Sequence, residues 1–305
     1  MTAKLSRIAL GLLALSPWAF SQEGQETPPP KPAGEAAQEH PAPVAQPEAP
    51  APADWSQAKE GKTEHYLVYS LQSEQEAKEV ANTLESLFGK YKQFLKPDYD
   101  AEGQMSVLIF PDLANYNSFG DEFGGAASSS YAAYCPEDHP EKPVAVLGSQ
   151  GLAYTKLYAA HGATKQFLRK AYPNRVPPSW IEDGLASMFE VQIAYQWSAK
   201  VLEDMKANDN FIPFDQLLRP GNTDFSRQRV SELGLLFYYL IHICEDSKAY
   251  IDPITNKTKQ PFVDYLQMQL EGKNVSDLDV HKLLTDPERR KKLEEEFKAY
   301  KFINQ

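Results

Sequence analysis

His161 and Lys165 stand four residues apart in the stretch Leu157 to Leu168, and Gly162 follows the histidine directly. On a helix, residues four apart project from one face. Two imidazoles at that spacing, with a glutamate after the first, hold zinc and activate a water molecule. A second stretch, Trp180 to Glu190, carries Asp183 and Glu190, where a following helix would add a carboxylate ligand. The chain keeps one imidazole and these carboxylates and departs elsewhere. Gly162 has no group to accept a proton, and general-base help is worth ~10²–10⁴-fold in rate. Lys165 is protonated at neutral pH and has no lone pair to offer a metal. A catalytic zinc wants three protein ligands plus water, so His161 and Asp183 are weak metal candidates by themselves. No catalytic group and no bound cofactor is expected from the set His161, Gly162, Lys165 and Asp183. A different pairing is expected instead. The Lys165 ammonium would lie near the position a metal would take and bind Asp183 or Glu190, joining the two helices by charge. Gly162 costs its helix about 1 kcal/mol against Ala, which suggests no structural benefit of glycine there.

The elements that would carry these residues are legible from periodicity. His65 to Ser70 is rich in β-branched and aromatic residues and reads as a strand. Ser73 and Glu76 form a capping-box pattern before the helical spacing of Ala77, Val80, Leu84, Leu87, Phe88, Tyr91 and Phe94. Met105 to Phe110 is a second strand, and Asp112 caps a short helix over Leu113 to Phe119. Tyr131 to Tyr134 and Val144 to Leu147 are short strands around a turn-rich loop that contains Cys135 and His139. After Gly151 the pattern turns helical over about 152–170, 178–196, 201–208, 229–243, 261–270 and 286–302. Pro177-Pro178 suits a helix start, because the first turn needs no N–H partner. The expected class is α+β: a small mixed sheet with helices over 55–150, then a mainly helical lobe over 151–305.

The order of these features resembles the gluzincin, or peptidase MA, superfamily, and most closely its branch in secreted bacterial proteins. There a histidine helix ending in Q-F-L is followed by P-x-W-x-x-E-G-L-A and a helical tail. The matching residues are His161, Gln166-Phe167-Leu168, Pro178, Trp180 and Gly184-Leu185-Ala186. In the tail they are Ile212 to Leu218 and Leu235 to Leu240. The resemblance covers roughly residues 60 to 303. It implies a metallopeptidase-like fold, with zinc as the family's cofactor. It would put the water-activating Glu at position 162, a zinc-binding His at 165 and a zinc-binding Glu at 183, where this chain has Gly162, Lys165 and Asp183.

The ends and composition add bounds. Lys4 and Arg7, the apolar run Ile8 to Leu15 and the small residues near Ser21 read as a signal peptide over 1–21. The apolar run is short for a membrane span. Residues 22–54 are rich in Pro, Ala, Glu and Gln and read as a semi-rigid disordered linker. The formal charge is −11, and −13 without Lys4 and Arg7, which argues against nucleic acid and anionic membranes as partners. Two cysteines, Cys135 and Cys244, make no disulfide framework, and separate thiols are the preferred reading. Asn256-Lys257-Thr258 and Asn274-Val275-Ser276 match the glycosylation acceptor pattern.

Together these readings point to an exported, periplasmic or extracellular protein with a metallopeptidase-like fold and no peptidase activity. It would bind or hold a peptide or a cell-envelope protein partner. The alternative is a hydrolase working without zinc through His161 and Glu182 or Asp183. A third reading is a spacer in which the Pro-rich arm matters more than the cleft. His161 also reads as a hydrogen-bonded helix histidine, and Asp183 as an acid that favours a helix start. His139 is an exposed loop residue or a surrogate ligand. Trp180, Phe167, Leu168 and Leu185 read as core. Tyr131 and Tyr134 are either groove or ordinary strand residues, and Asp286 to Lys298 is a solvated helix face.

Overall fold

The computed structural model describes residues 54–305 apart from 97, 102, 123–132, 137–140, 220–226, 252–257 and 303–305. The expected signal peptide and linker, Tyr131, His139 and Asn256 therefore lie outside the described residues, apart from Asp54 at the linker's end.

Five strands form one mixed sheet: β1 (Lys59–Lys62), β2 (Tyr66–Ser70), β3 (Met105–Phe110), β4 (Ala133–Tyr134) and β5 (Val144–Leu147), in spatial order β1-β2-β3-β5-β4. The central pairs β2/β3 and β3/β5 are parallel, with Val68 opposite Val107 and Ile109 opposite Val146. Both edge pairs are antiparallel. Parallel strands need a crossover. The first is α1 (Glu74–Phe94), between β2 and β3; the second contains α2 (Leu113–Glu122). Ser73 caps α1 through its hydroxyl, which accepts the Glu76 amide at 3.1 Å. The other half of the capping box is replaced: the Glu76 carboxylate accepts the Ser70 hydroxyl at 2.6 Å and the Thr155 hydroxyl at 3.3 Å.

The helical part contains α3 (Leu152–Ala171), α4 (Ser179–Ile193), α5 (Tyr195–Ala207), the single turn α6 (Phe214–Leu217) and α7 (Arg227–His242). A two-stranded ribbon, β6 (Tyr250–Ile251) with β7 (Thr258–Lys259), precedes α8 (Pro261–Leu270), α9 (Asp279–Thr285) and α10 (Pro287–Ala299). The helix expected over 178–196 ends at Ala194, whose φ of −134° and ψ of 51° lie outside helical values, and α5 begins beyond it. α1 and α3 cover the sheet. Val80, Leu84, Phe88 and Tyr91 of α1, and Ala160, Ala163 and Phe167 of α3, join Val68, Val107 and Val144 in one buried core. The class is thus mixed α and β, with a small mixed sheet and a predominantly helical remainder, consistent with the expected α+β. Among the described residues, no helix is long and apolar enough to cross a membrane.

Candidate functional site

The face of α3 toward α4 carries the residues singled out by spacing. His161 and Lys165 project from it one turn apart, as a helical repeat requires. Lys165 Nζ lies 2.7 Å from Asp183 Oδ1 and 3.8 Å from Glu182 Oε2. His161 Nδ1 lies 2.5 Å from Glu190 Oε1. The ion pair expected of Lys165 is therefore made with Asp183, while Glu190 meets His161. A third bridge runs from Arg169 Nη2 to Glu182 Oε1 at 3.0 Å, and Arg169 Nη1 donates to the Cys135 carbonyl at 2.7 Å. Arg169 thereby ties α3 both to α4 and to the end of β4.

The third cation comes from α7. Arg229 Nη1 donates to Asp183 Oδ2 at 2.9 Å, and the Arg229 side chain is fully buried. Spacing gives no sign of this contact, because 46 residues separate the partners. The one signal is an arginine at the start of a helix that continues Val230, Leu233, Leu235 and Leu236, all buried. Two glycines let α7 come this close. A Cβ on Gly184 would stand 2.3 Å from the Phe237 ring, and one on Gly234 would stand 2.7 Å from Ser187 Cβ.

Asp183 is 1% exposed and has a cation on each oxygen. Burial works against its ionisation, but Lys165 first, then His161 and Arg229, outweigh burial and hold the carboxyl below its ordinary range. The same balance raises the Lys165 pKa. Burial and the Arg169 charge disfavour the ammonium, yet Asp183 and Glu182 prevail.

Position 162 faces the sheet. A Cβ on Gly162 would lie 2.3 Å from Val144 Cγ1 on β5. Real Cβ atoms do not approach that closely, so glycine is what allows α3 to lie against β5. The expectation of no structural benefit at this position is therefore corrected: the cost of glycine to the helix is offset by strand contact. Trp180, Phe167, Leu168 and Leu185 are core, at 7%, 0%, 1% and 1% exposed. Cys135 and Cys244 are separate buried thiols, and burial raises the pKa of both. Tyr134 is half-buried on β4.

The donor set can be tested against zinc atom by atom. The Lys165 ammonium has no lone pair. Both Asp183 oxygens accept cations, and Glu182 Oε1 accepts Arg169. Position 162 has no space for a carboxylate. Only the His161–Glu190 pair supplies groups a metal would take, against the three protein ligands of a catalytic site. The residues present do not fit a catalytic zinc.

One other group among the described residues brings possible metal ligands together: Glu64, His65 and Glu85. Its geometry is that of a turn anchor. Glu85 accepts both the His65 ring Nδ1, at 2.6 Å, and the His65 backbone amide, at 3.0 Å. The ring stacks on Phe88 at 3.8 Å, and Glu64 approaches the opposite ring nitrogen at 4.0 Å. The two carboxylates thus address different nitrogens of the ring.

Neither a scan against models of known protein families nor a search of curated proteins finds a match to this sequence.

Proposed function

We propose that the chain is an exported, catalytically silent relative of the gluzincin metallopeptidases, with a binding or structural role. The observation that carries this reading is the double pairing of Asp183. At the place where the resemblance puts a zinc ligand, one carboxylate is held by Lys165 from α3 and Arg229 from α7. Three cations (Lys165, Arg169 and Arg229) face three carboxylates (Glu182, Asp183 and Glu190), so the junction is balanced when His161 is neutral. A dication would enter without a vacant carboxylate pair to receive it. A water-activating base at 162 is blocked sterically as well as chemically. What remains of the resemblance is a scaffold whose helices are cross-linked by charge, suited to presenting a surface to a peptide or a cell-envelope partner. Export itself rests on the N-terminal sequence.

A metal-free hydrolase keeps one supporting observation, the 2.5 Å contact between His161 and Glu190, since a carboxylate can orient a histidine for proton transfer. Their burial, 4% and 8% exposed, weighs against it. Purified protein assayed on casein and on ester substrates separates the readings. The proposal expects no turnover that chelators abolish and none that His161→Ala removes. Activity lost in either way refutes it.

A further inference from the structure

One turn along α7 from Arg229 lies a buried acid that the proposed function does not use. Glu232 is 0% exposed. Its Oε2 accepts the Ile212 amide at 3.0 Å, while its Oε1 is buried with no hydrogen-bond partner. The segment it holds, 209–213, is a connector between α5 and α6. Its course begins at Asp209, the one described non-glycine residue at positive φ, 47°. The segment is tied down by carboxylates at two points: Ile212 by Glu232, and the following Phe214 amide by Glu294 of α10 at 2.9 Å. Pro213 has no N–H to add. At its start the connector is held by the Asp209 and Asn210 amides on the Lys206 and Met205 carbonyls and by Gln228 of α7 on Asn210, whereas its far half, Ile212 to Phe214, is held by carboxylates.

We infer that Glu232 is a protonation-controlled latch: as the neutral acid it holds the 209–213 strap closed, and its ionisation releases the strap. A buried carboxyl oxygen without a donor is tolerated far better neutral than charged. Burial, the largest influence, and the Glu294 charge push its pKa up to about 8, against the Ile212 amide and Lys298, which pull it down. The charged groups acting on it from neighbouring elements are Lys298 and Glu294, both on α10 and paired with each other at 2.6 Å. Neither neutralises Glu232. An ionised Glu232 gains most by reaching water, and the Ile212 end of the strap, bonded to Glu232 itself, is the part that ionisation would free. One residue of the strap, Asn210, also lines an open pocket of about 290 Å³ with Met205, Asn208, Gln228 and Ser231. Opening the latch would move Asn210 and so change the shape of that pocket with pH.

Hydrogen exchange resolved by residue on the full chain between pH 5 and pH 9 tests this. Corrected for the intrinsic exchange rate, protection of the Ile212 amide is expected to fall on the order of a hundredfold from pH 5 to pH 8, as the linkage of an acid freed from burial requires. Sheet amides such as Val68 and Ile109 should stay protected. In Glu232→Gln, which keeps the acceptor and cannot ionise, Ile212 protection should be flat. Carbon-13 titration of the wild-type Glu232 carboxyl supplies a readout that needs no variant, with an expected midpoint near 8. A midpoint below 6, an unchanged pH profile in Glu232→Gln, or loss of protection at Val68 together with Ile212 would each overturn the latch. None of these outcomes bears on whether the Asp183 junction is catalytically silent.

Discussion

Asp183 and Glu232 are buried to nearly the same degree, 1% and 0% exposed, yet their surroundings drive them in opposite directions. Asp183 has Lys165 at 2.7 Å and Arg229 at 2.9 Å, and its carboxyl is held below its ordinary pKa. Glu232 has one backbone amide and an oxygen with no hydrogen-bond partner, and its pKa is raised to about 8. Desolvation opposes ionisation at both sites. Two cations in contact overcome it at the first, while one neutral donor and a distant lysine do not at the second. α7 serves both places, with Arg229 toward one and Glu232 toward the other. The Asp183 junction is therefore neutralised by its own partners, whereas the acid at the strap is not.

The harshest way to break this contrast is to take a cation from Asp183. Arg229→Met should destabilise the protein by about 3–5 kcal/mol, because it strands a buried charge; urea unfolding at pH 7 reads the loss. Replacing the whole set with apolar residues, Lys165→Met, Asp183→Leu and Arg229→Met together, should recover most of that loss, since buried ion pairs often add little net stability.

Stability against pH sharpens the comparison next. The Asp183 pKa is depressed, so its contribution is present above the ordinary value of 3.8 and is lost as pH falls below it. The Glu232 pKa is raised, so its contribution is complete below about 4.5 and disappears as pH rises through about 8. The alkaline loss should be on the order of 5 kcal/mol, at roughly 1.4 kcal/mol per pKa unit. Denaturation midpoints from pH 3 to pH 9 should show both arms. Glu232→Gln should flatten only the alkaline arm.

A smaller effect is expected at position 162. Gly162→Ala gains about 1 kcal/mol of helix propensity but must displace Val144, and overpacking costs about 1–3 kcal/mol. The net change in a thermal melt should be destabilising. Gly162→Glu should be worse, because it also buries a carboxylate. Smallest of all, Lys78→Ala removes a lysine from the exposed pair with Glu74 and should leave the unfolding midpoint unmoved within error, in contrast to Arg229→Met.

Much of the scaffold is legible without coordinates, because strong periodicity marks β2, β3, α1, α3 and α7 and the Pro177-Pro178 start marks α4. What is missed is short or polar. β1, Lys-Glu-Gly-Lys, has no apolar alternation and is a strand only because β2 offers it an edge. α6 and α9 are too short for a helical period to register. At the site, a pairing of Lys165 with Asp183 or Glu190 is legible from a cation and retained carboxylates on facing helices, and the structure selects Asp183. Arg229 does not follow, because its contact depends on how closely α7 crosses α4 at Gly184 and Gly234. The role of Gly162 is likewise invisible until β5 is seen against α3, since a residue one step from the charged face turns to a different neighbour.

The α3–α4–α7 junction is closed by its own charges, and its residues supply no ligand set for a catalytic metal. Zinc titration of the full chain at pH 7, followed by NMR at the His161 ring and by equilibrium dialysis, addresses it directly. The account predicts ring resonances that stay in place and no zinc whose binding depends on His161. Stoichiometric zinc that shifts the His161 ring and is lost in His161→Ala would contradict it.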